Sequence, residues 1–249
     1  MNMIRLVTQN TNKDICCFLA EDDVQRANGL NEWGNPPRGG GLLFVMPVAQ
    51  DVTFWMDDVS FPIDIVMLDE NAVVKSVYTN CQPGSQDRYK GLGIKWVLEL
   101  RVGECARMQI VPGVVLRATP EPYEFDARVR PELLAMHAAF NGTLEGGPAQ
   151  GSCLSFGDNP VGWGWNKTHM TDNPTSHSAM MAIADTIQRG SSPEGAELYT
   201  TRMPCMMCGG AMTWCRIPKV HFLMKGHATT MRHIADQIMG PVPMFDFYT

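Results

Sequence analysis

The alternation of apolar and polar residues divides the chain into a strand-rich first part and a second part in which strands and helices alternate. In the first part, short apolar runs between turn-forming residues predict strands over 4–7, 15–19, 42–46, 52–56, 63–68, 73–78, 96–101 and 111–116. A short helix is predicted over 21–28, before Gly29, and 82–93 is predicted to be irregular. This pattern predicts a small, mainly β domain over residues 1–118.

Helical and strand-like patterns alternate from residue 131 onward. The sequence predicts helices over 131–140, 177–188, 205–215 and 229–238, and strands over 152–156, 161–165, 197–201 and 219–224. After the first helix, the β-β-α-β-α-β-α order is typical of an α/β layered sandwich. A Pro- and acid-rich stretch begins at Thr119, so we predict a linker at 119–130 and a second domain at 131–249.

Composition and charge limit the classes of function. Hydrophobic residues make up 45% of the 249 residues, and the net charge is −6, so a broad basic surface for a polynucleotide is not expected. Residues 131–249 alone hold seven Lys and Arg against nine Asp and Glu. Without a visible signal peptide or a bilayer-spanning apolar run, a cytoplasmic, non-membrane protein is predicted, with eight reduced cysteines. A homo-oligomer is compatible with the sequence.

One histidine and two cysteines have the spacing of a zinc site. His177 precedes a Pro-Cys-x-x-Cys segment, in which Pro204 suits a helix start and puts Cys205 and Cys208 on one helix face. Ser176 is the predicted N-cap of the helix that carries the histidine. Three ligands of these types leave a fourth zinc position for water. We therefore predict Zn²⁺ bound by these three side chains, against the alternative of buried structural cysteines and a core histidine.

Residues 131–249 resemble the cytidine-deaminase-like zinc deaminase superfamily. The likeness rests on the zinc motif and on four further segments: 161–166 (VGWGWN), 198–201 (LYTT), 210–214 (GAMTW) and 216–220 (RIPKV). These segments are most similar to the branch that holds guanine deaminases, bacterial tRNA adenosine deaminases and fungal-type cytosine deaminases. The resemblance implies an α/β/α layered sandwich of cytidine-deaminase type. It also implies substrate contacts by Asn166, His177, Thr200, Met203 and Pro204.

One position departs from the superfamily pattern. The general acid/base Glu is expected two residues after the zinc-binding histidine, and this chain has Ala179 there. Three interpretations stay open: an inactivating substitution introduced to trap a complex, a natural pseudo-deaminase, or replacement by another carboxylate such as Asp172 or Glu197. We expect zinc-dependent deaminase chemistry on a nucleobase, nucleoside or nucleotide, with purines ahead of cytosine, but little activity in this chain. The alternative is a nucleobase-binding or interaction module.

Five segments in the first part of the chain form an ordered set: 25–30, 41–46, 54–58, 61–69 and 97–100. In this order they resemble a small bacterial family catalogued as domain of unknown function 192. The resemblance implies a compact, mainly β, barrel-like domain and implies no activity. Asp57, Asp58 and Asp64 are predicted to form a solvated rim, with a functional acidic cluster as the alternative. The aromatic tail, 244–248, is predicted either to close over a pocket or to fray.

Overall fold

The computed structural model describes residues 1–31 and 33–224, together with the backbone of 244–247. The chain divides into two compact units, Met1–Glu121 and Pro122–Thr249. This boundary falls near the start of the predicted 119–130 linker. Tyr123 and Phe125, within that linker, already pack against the core of the second unit. The separate folding of the two units stays a prediction.

A seven-stranded sheet forms the first unit. Its elements are β1 (Met3–Thr8), β2 (Asp14–Ala20), α1 (Asp23–Asn28), β3 (Gly40–Phe54), β4 (Ile63–Leu68), β5 (Val74–Cys81), β6 (Tyr89–Arg101), α2 (Glu104–Met108) and β7 (Leu116–Thr119). The strand order is β5-β4-β6-β3-β2-β1-β7, and β2 and β3 are parallel whereas the other pairs are antiparallel. An antiparallel bridge joins Val73 to Val115, beside the two outer strands. The predicted closure of this sheet into a barrel stays a prediction.

Several predicted boundaries in this unit are wrong. The two strands predicted at 42–46 and 52–56 are one strand, β3. The exposed segment between them, 47–51, forms an irregularity in register and not a turn. Strand β6 begins at Tyr89, inside the segment predicted to be irregular, because it pairs with the far end of β3. The last strand begins only at Leu116, and the five-residue helix α2 is too short to leave a periodic signal.

The predicted acidic rim also needs correction. Asp57 is ion-paired with Arg88 at 3.3 Å, and Asp58 is exposed. Asp64, in contrast, is fully buried, and its carboxylate accepts hydrogen bonds from the backbone N–H groups of Asn80 and Cys105 at 2.9 and 3.0 Å. This carboxylate therefore ties β4 to the end of β5 and to the start of α2.

The second unit is a five-stranded mixed sheet with helices on both faces. Its elements are α3 (Pro131–Leu144), β8 (Gly151–Phe156), β9 (Asn159–Trp165), α4 (Thr168–Thr171), α5 (Ser178–Gln188), β10 (Glu197–Arg202), α6 (Met206–Trp214), β11 (Lys219–Met224) and β12 (Met244–Phe247). The strand order is β12-β11-β10-β8-β9, with the three strands from β10 to β12 parallel. The helix predicted at 229–238 lies outside the described residues. Within the aromatic tail, the backbone of residues 244–247 pairs with β11 as an edge strand.

Neighbouring residues of β8 show the layering. Cys153 packs with residues of α3 on one face of the sheet, whereas Leu154 packs with residues of α5 and α6 on the other. The predicted α/β/α layering is therefore confirmed for this unit. None of the helices in the described ranges combines the length and the apolar character that a bilayer crossing requires.

Glycines let these helices lie close to the sheet. A Cβ atom on Gly151 would lie 2.1 Å from the carbonyl oxygen of Ala135 in α3. On Gly164, in β9, it would lie 2.6 Å from Cβ of Met181 in α5. Glycine at these positions thus fixes the distance between sheet and helix, and with it the position of the N-terminus of α5.

Candidate metal centre

Two helix starts carry the three predicted zinc ligands. Strand β10 ends at Arg202, and after Met203 and Pro204 the chain enters α6 with Cys205 as the N-cap and Cys208 in the first turn. The N-cap of α5 is His177, not Ser176 as predicted, because the His177 carbonyl oxygen accepts the first helical hydrogen bond, from Met181 N–H. The helices therefore begin one residue later than predicted, at Ser178 and Met206.

The three ligand atoms form a triangle of the size that zinc requires. Cys205 Sγ lies 3.4 Å from Nδ1 of His177, Cys208 Sγ lies 3.6 Å from the same nitrogen, and the two sulfurs are 3.7 Å apart. With Zn–S near ~2.3 Å and Zn–N near ~2.0 Å, a tetrahedral ion places two sulfurs about 3.8 Å apart, and nitrogen and sulfur about 3.5 Å apart. The side chains therefore fit zinc without rearrangement.

The paired thiols also have the electrostatics of metal ligands. The pKa of the Cys205 thiol is lowered to about 5, chiefly by the hydrogen bond with Cys208 and to a smaller extent by the neighbouring His177 ring. The same hydrogen bond and burial raise the pKa of Cys208. The first proton thus leaves the pair easily, whereas loss of the second needs a cation that offsets two adjacent negative charges. A divalent metal ion is the cation that suits this pair.

Within the described ranges, no fourth His, Cys, Asp or Glu joins the three ligands. Of the two carboxylates considered as replacements for the missing Glu, Glu197 is engaged elsewhere: it lies 2.7 Å from His221 Nε2 and also accepts from the hydroxyl of Tyr199. Asp172 is exposed and ends α4 in a left-handed conformation. A catalytic zinc site has three protein ligands and an open position, and this arrangement is consistent with one.

Ala179 lies in the first turn of α5, only 2% exposed, in a core cluster that also contains Leu154, Cys208 and Met212. Nothing about its methyl group can donate or accept a proton. The side chain at this position faces the same packed region as one of the zinc ligands.

A row of buried hydroxyl groups supports both helix starts, and the sequence analysis missed most of it. The Ser152 hydroxyl lies 2.9 Å from that of Ser178 and 2.9 Å from that of Thr200. It therefore links β8 to the residue after the histidine ligand and to the strand that leads to the cysteines. The only available signal was the placement of Ser and Thr inside otherwise apolar strands.

The side chain of Asn166 follows β9 and is buried. Its amide N–H donates to Gln150 Oε1, and its oxygen accepts from the N–H and hydroxyl of Thr168. The next residue, Lys167, donates its backbone N–H to the carbonyl oxygen of Ser176, which directly precedes the histidine ligand. Asn166 is therefore anchored beside the ligand segment, and its role in substrate binding stays a prediction.

The other predicted contact residues lie in β10 and in the loop that connects β10 to the cysteine-bearing helix α6. Thr200 is buried, and its hydroxyl is also within hydrogen-bond distance of the carbonyl oxygens of Gly151 and Arg202. Met203 and Pro204 are half-buried in the loop between β10 and α6. Their contacts with a substrate also stay predictions.

Comparison with known proteins agrees with the division of the chain into two units. Residues 5–118 match the family model DUF192, described as Uncharacterized ACR, and residues 134–224 match the model of the cytidine and deoxycytidylate deaminase zinc-binding region. A tRNA-specific adenosine deaminase 2 from Xenopus tropicalis is 37% identical over 97 residues, which cover 34% of this chain and 57% of that protein. The tRNA-specific adenosine deaminase from Aquifex aeolicus is 41% identical over 59 residues, covering 23% and 39%.

Among solved structures, guanine deaminase from Bacillus subtilis is similar, with 25% identity and a TM-score of 0.37. The similarity covers 48% of this chain and 82% of the guanine deaminase chain. The chain thus spans about half the length of the curated relatives it matches. Both family resemblances are confirmed, since each part of the chain matches the corresponding family model.

Proposed function

We propose that the second unit belongs to a zinc-dependent hydrolytic deaminase of nucleobases, nucleosides or nucleotides, and that Ala179 leaves this chain able to bind its substrate but slow to convert it. The observation that carries the proposal is the ligand triangle of His177, Cys205 and Cys208, to which the described residues add no fourth ligand. Ala179, in the same core cluster as Cys208, holds a methyl group where the reaction needs a carboxylate.

The chemistry follows from what each group can do. When bound, zinc supplies Lewis acidity, which lowers the pKa of a water molecule toward neutrality. The N-termini of α5 and α6 meet at the ligand triangle, so their positive ends favour negative charge that develops there. Deamination also requires a proton to reach the departing amine, and Ala179 cannot deliver one.

The distribution of charge supports a small substrate. In the second unit, the guanidinium groups of Arg128, Arg130, Arg189 and Arg216 are each ion-paired with an Asp or Glu. Such pairs reduce the positive charge available for phosphates of a polynucleotide. A purine in free base, nucleoside or nucleotide form is our first choice, ahead of cytosine. Two curated relatives are named tRNA-specific adenosine deaminases, so a tRNA substrate has to be tested beside the small molecules.

The decisive experiment compares the chain with its A179E and A179Q variants. Each zinc-loaded protein is incubated with a panel of adenine, guanine and cytosine bases, nucleosides and nucleotides and with a tRNA, and released ammonia is measured. A179E is expected to raise the rate on at least one substrate by ~10²-fold or more, because a general acid/base typically contributes 10²–10⁴. A179Q, which has nearly the same shape but cannot carry the proton, is expected to stay slow.

A second candidate function is a nucleobase-binding module without catalysis, and the buried Ala179 favours it. If A179E binds zinc and a base but releases no ammonia from any member of the panel, the deaminase proposal fails and the binding module takes its place. Cytoplasmic location and oligomeric state stay predictions from the sequence.

A further inference from the structure

A cavity in the first unit, remote in sequence from the zinc ligands, has a volume of about 410 Å³. It lies between the segment after α1 and the outer half of β3, with Glu99 of β6 among its lining residues. Much of its wall is apolar: Leu30, Met46, Phe44 and Phe54, the two phenylalanine rings meeting edge to face at 5.0 Å. A volume of this size accommodates a small organic molecule.

Glu99 is the unusual member of this lining. It is 4% exposed, and its Oε2 atom has no hydrogen-bond partner within the described part of the chain. Two other buried carboxylates of the same unit are satisfied: Asp64 by the two backbone N–H groups described above, and Glu104 by Gly39 N–H and the Arg107 guanidinium. A buried carboxyl oxygen without a partner is costly, and in native proteins it calls for a specific explanation.

The neighbouring charges do not supply the missing partner. Arg26 lines the cavity, but its guanidinium donates to the carbonyl oxygens of Glu21 and Val45 and to the carboxylate of Asp23. The other charged lining residues, Asp51 and Asp58, are acidic. The cavity therefore offers an unpaired carboxyl group inside walls of aromatic and aliphatic side chains.

We propose that this cavity binds a small organic cation, an amine or amidine attached to an apolar body, whose N–H groups donate to Glu99. Aromatic faces attract cations, and the apolar body would occupy the space lined by Leu30, Phe44 and Met46. The excess of acidic groups disfavours an anion. A divalent metal ion needs several oxygen ligands on one point, and the described residues form no such group here.

Binding of a cation at this site should be coupled to release of a proton from Glu99. Burial raises the pKa of Glu99 to about 8, so the empty site holds the neutral acid at pH 7. A cationic ligand favours the carboxylate, so binding at pH 7 should release a proton, and affinity should rise between pH 6 and 8. Other titratable groups near Glu99 are Arg26, Asp51 and Asp58 in the lining and the Cys81 thiol, whose pKa is itself raised to about 11, chiefly by burial.

Titration calorimetry on the full chain tests the site, with benzamidine and phenethylamine as cationic probes and benzamide and phenethyl alcohol as neutral analogues. At least one cation is expected to bind with Kd below about 1 mM, and its neutral analogue at least ~10-fold more weakly, because only the cation can make a charge-assisted hydrogen bond to the Glu99 carboxylate. Repeating the titration in buffers of different ionisation enthalpy measures the released proton.

Two variants complete the test. E99Q is expected to weaken cation binding by at least ~10-fold, whereas E70Q, the same change at an exposed glutamate of the first unit outside the cavity lining, should change it by less than ~2-fold. Binding should persist in the C205S/C208S protein, so that failure of this proposal and failure of the zinc proposal are distinguishable. Absence of binding by both cations, equal binding of the neutral analogues, or unchanged binding by E99Q would overturn the proposal. If E99Q does not fold, the number of protons released by the unmodified protein on binding tests the proposal instead. Cation binding at pH 7 without release of a proton would contradict the role of Glu99.

Discussion

At the scale of single residues, we expect the side chain at position 179 to affect stability as well as chemistry. A glutamate side chain at this buried position would carry a charge into a cluster that includes the thiol of Cys208. We expect A179E to reduce the free energy of unfolding of the metal-free protein by about 1–3 kcal/mol, because burial of a charged group without a partner is unfavourable. Zinc should recover part of this loss, because the cation offsets the new charge.

Urea denaturation with and without zinc measures this effect, with A179Q as the matched control that adds the same volume but no charge. An identical loss for A179E and A179Q, in both metal states, would mean that shape and not charge determines the cost.

The buried Glu99 predicts a pH dependence of stability for the first unit. Its pKa is raised from 4.5 to about 8 in the folded protein, so between these values the folded state binds a proton that the unfolded state has lost. The contribution of Glu99 to the free energy of unfolding should therefore be most favourable below pH 4.5. It should fall as the pH rises toward 8 and level off above pH 8. E99Q, which cannot ionise, should remove this contribution to the decline.

Comparison of urea midpoints for the two proteins at pH 5, 6, 7, 8 and 9 checks the expectation. A difference between wild type and E99Q that does not change over this range would contradict the assigned titration.

At the scale of elements, the contact between β9 and α5 sets the position of the histidine ligand. G164A places a methyl group against Met181 and Ala182 of α5, where three backbone or Cβ atoms lie within 2.9 Å. We expect a loss of about 1–3 kcal/mol in stability, since close-packed backbone cannot yield cheaply, and weaker zinc binding because the start of α5 moves.

The control is G209A in α6, where an added Cβ meets nothing within 4 Å. Alanine is the better helix former, so this variant should retain stability or gain up to about 1 kcal/mol. Thermal denaturation and competition with a chromogenic zinc chelator provide the two measurements. If G164A matched G209A in both, the close approach of α5 to β9 would not control the site.

Of the three predicted zinc ligands, His177 lies 28 residues before Cys205, so only the superfamily pattern related it to the cysteines. The sequence could pair the two cysteines because their spacing is local: a Pro-Cys-x-x-Cys segment can present both sulfurs from a single helix turn. It placed the helix starts within one residue for the same reason. It could not indicate that 42–46 and 52–56 form one strand, because the irregular register of β3 depends on its partner β6, about forty residues later. The burial of Asp64 and Glu99 was equally hidden, since a carboxylate in sequence gives no sign of whether N–H groups will surround it.

At the scale of the whole molecule, we expect zinc to stabilise one unit and not the other. All three ligands belong to Pro122–Thr249, so mass action should raise the melting temperature of that unit alone. Differential scanning calorimetry should show two transitions, of which only one falls when a chelator removes about one zinc ion per chain. The C205S/C208S variant should lack zinc by elemental analysis and reproduce the chelated profile.

Limited proteolysis provides the independent check. Cleavage near the boundary at Glu121 should leave two resistant fragments, and only the C-terminal fragment should become sensitive after chelation. A single transition that shifts as a whole with zinc, together with no cleavage in this region, would indicate one cooperative unit.

The short distance between Cys205 and Cys208 should also make the metal-free protein sensitive to oxidation. Their sulfurs, 3.7 Å apart, need to approach by less than 2 Å to reach the ~2.05 Å of a disulfide bond, and both are held by the first turn of one helix. Five other cysteines are buried and out of reach of oxidants in solution: Cys16, Cys17, Cys81, Cys105 and Cys153. Metal stripped during purification would thus expose one oxidation-prone pair, and the resulting disulfide would prevent reloading until a reductant opened it. A bound zinc ion would therefore protect its own cysteine ligands from oxidation.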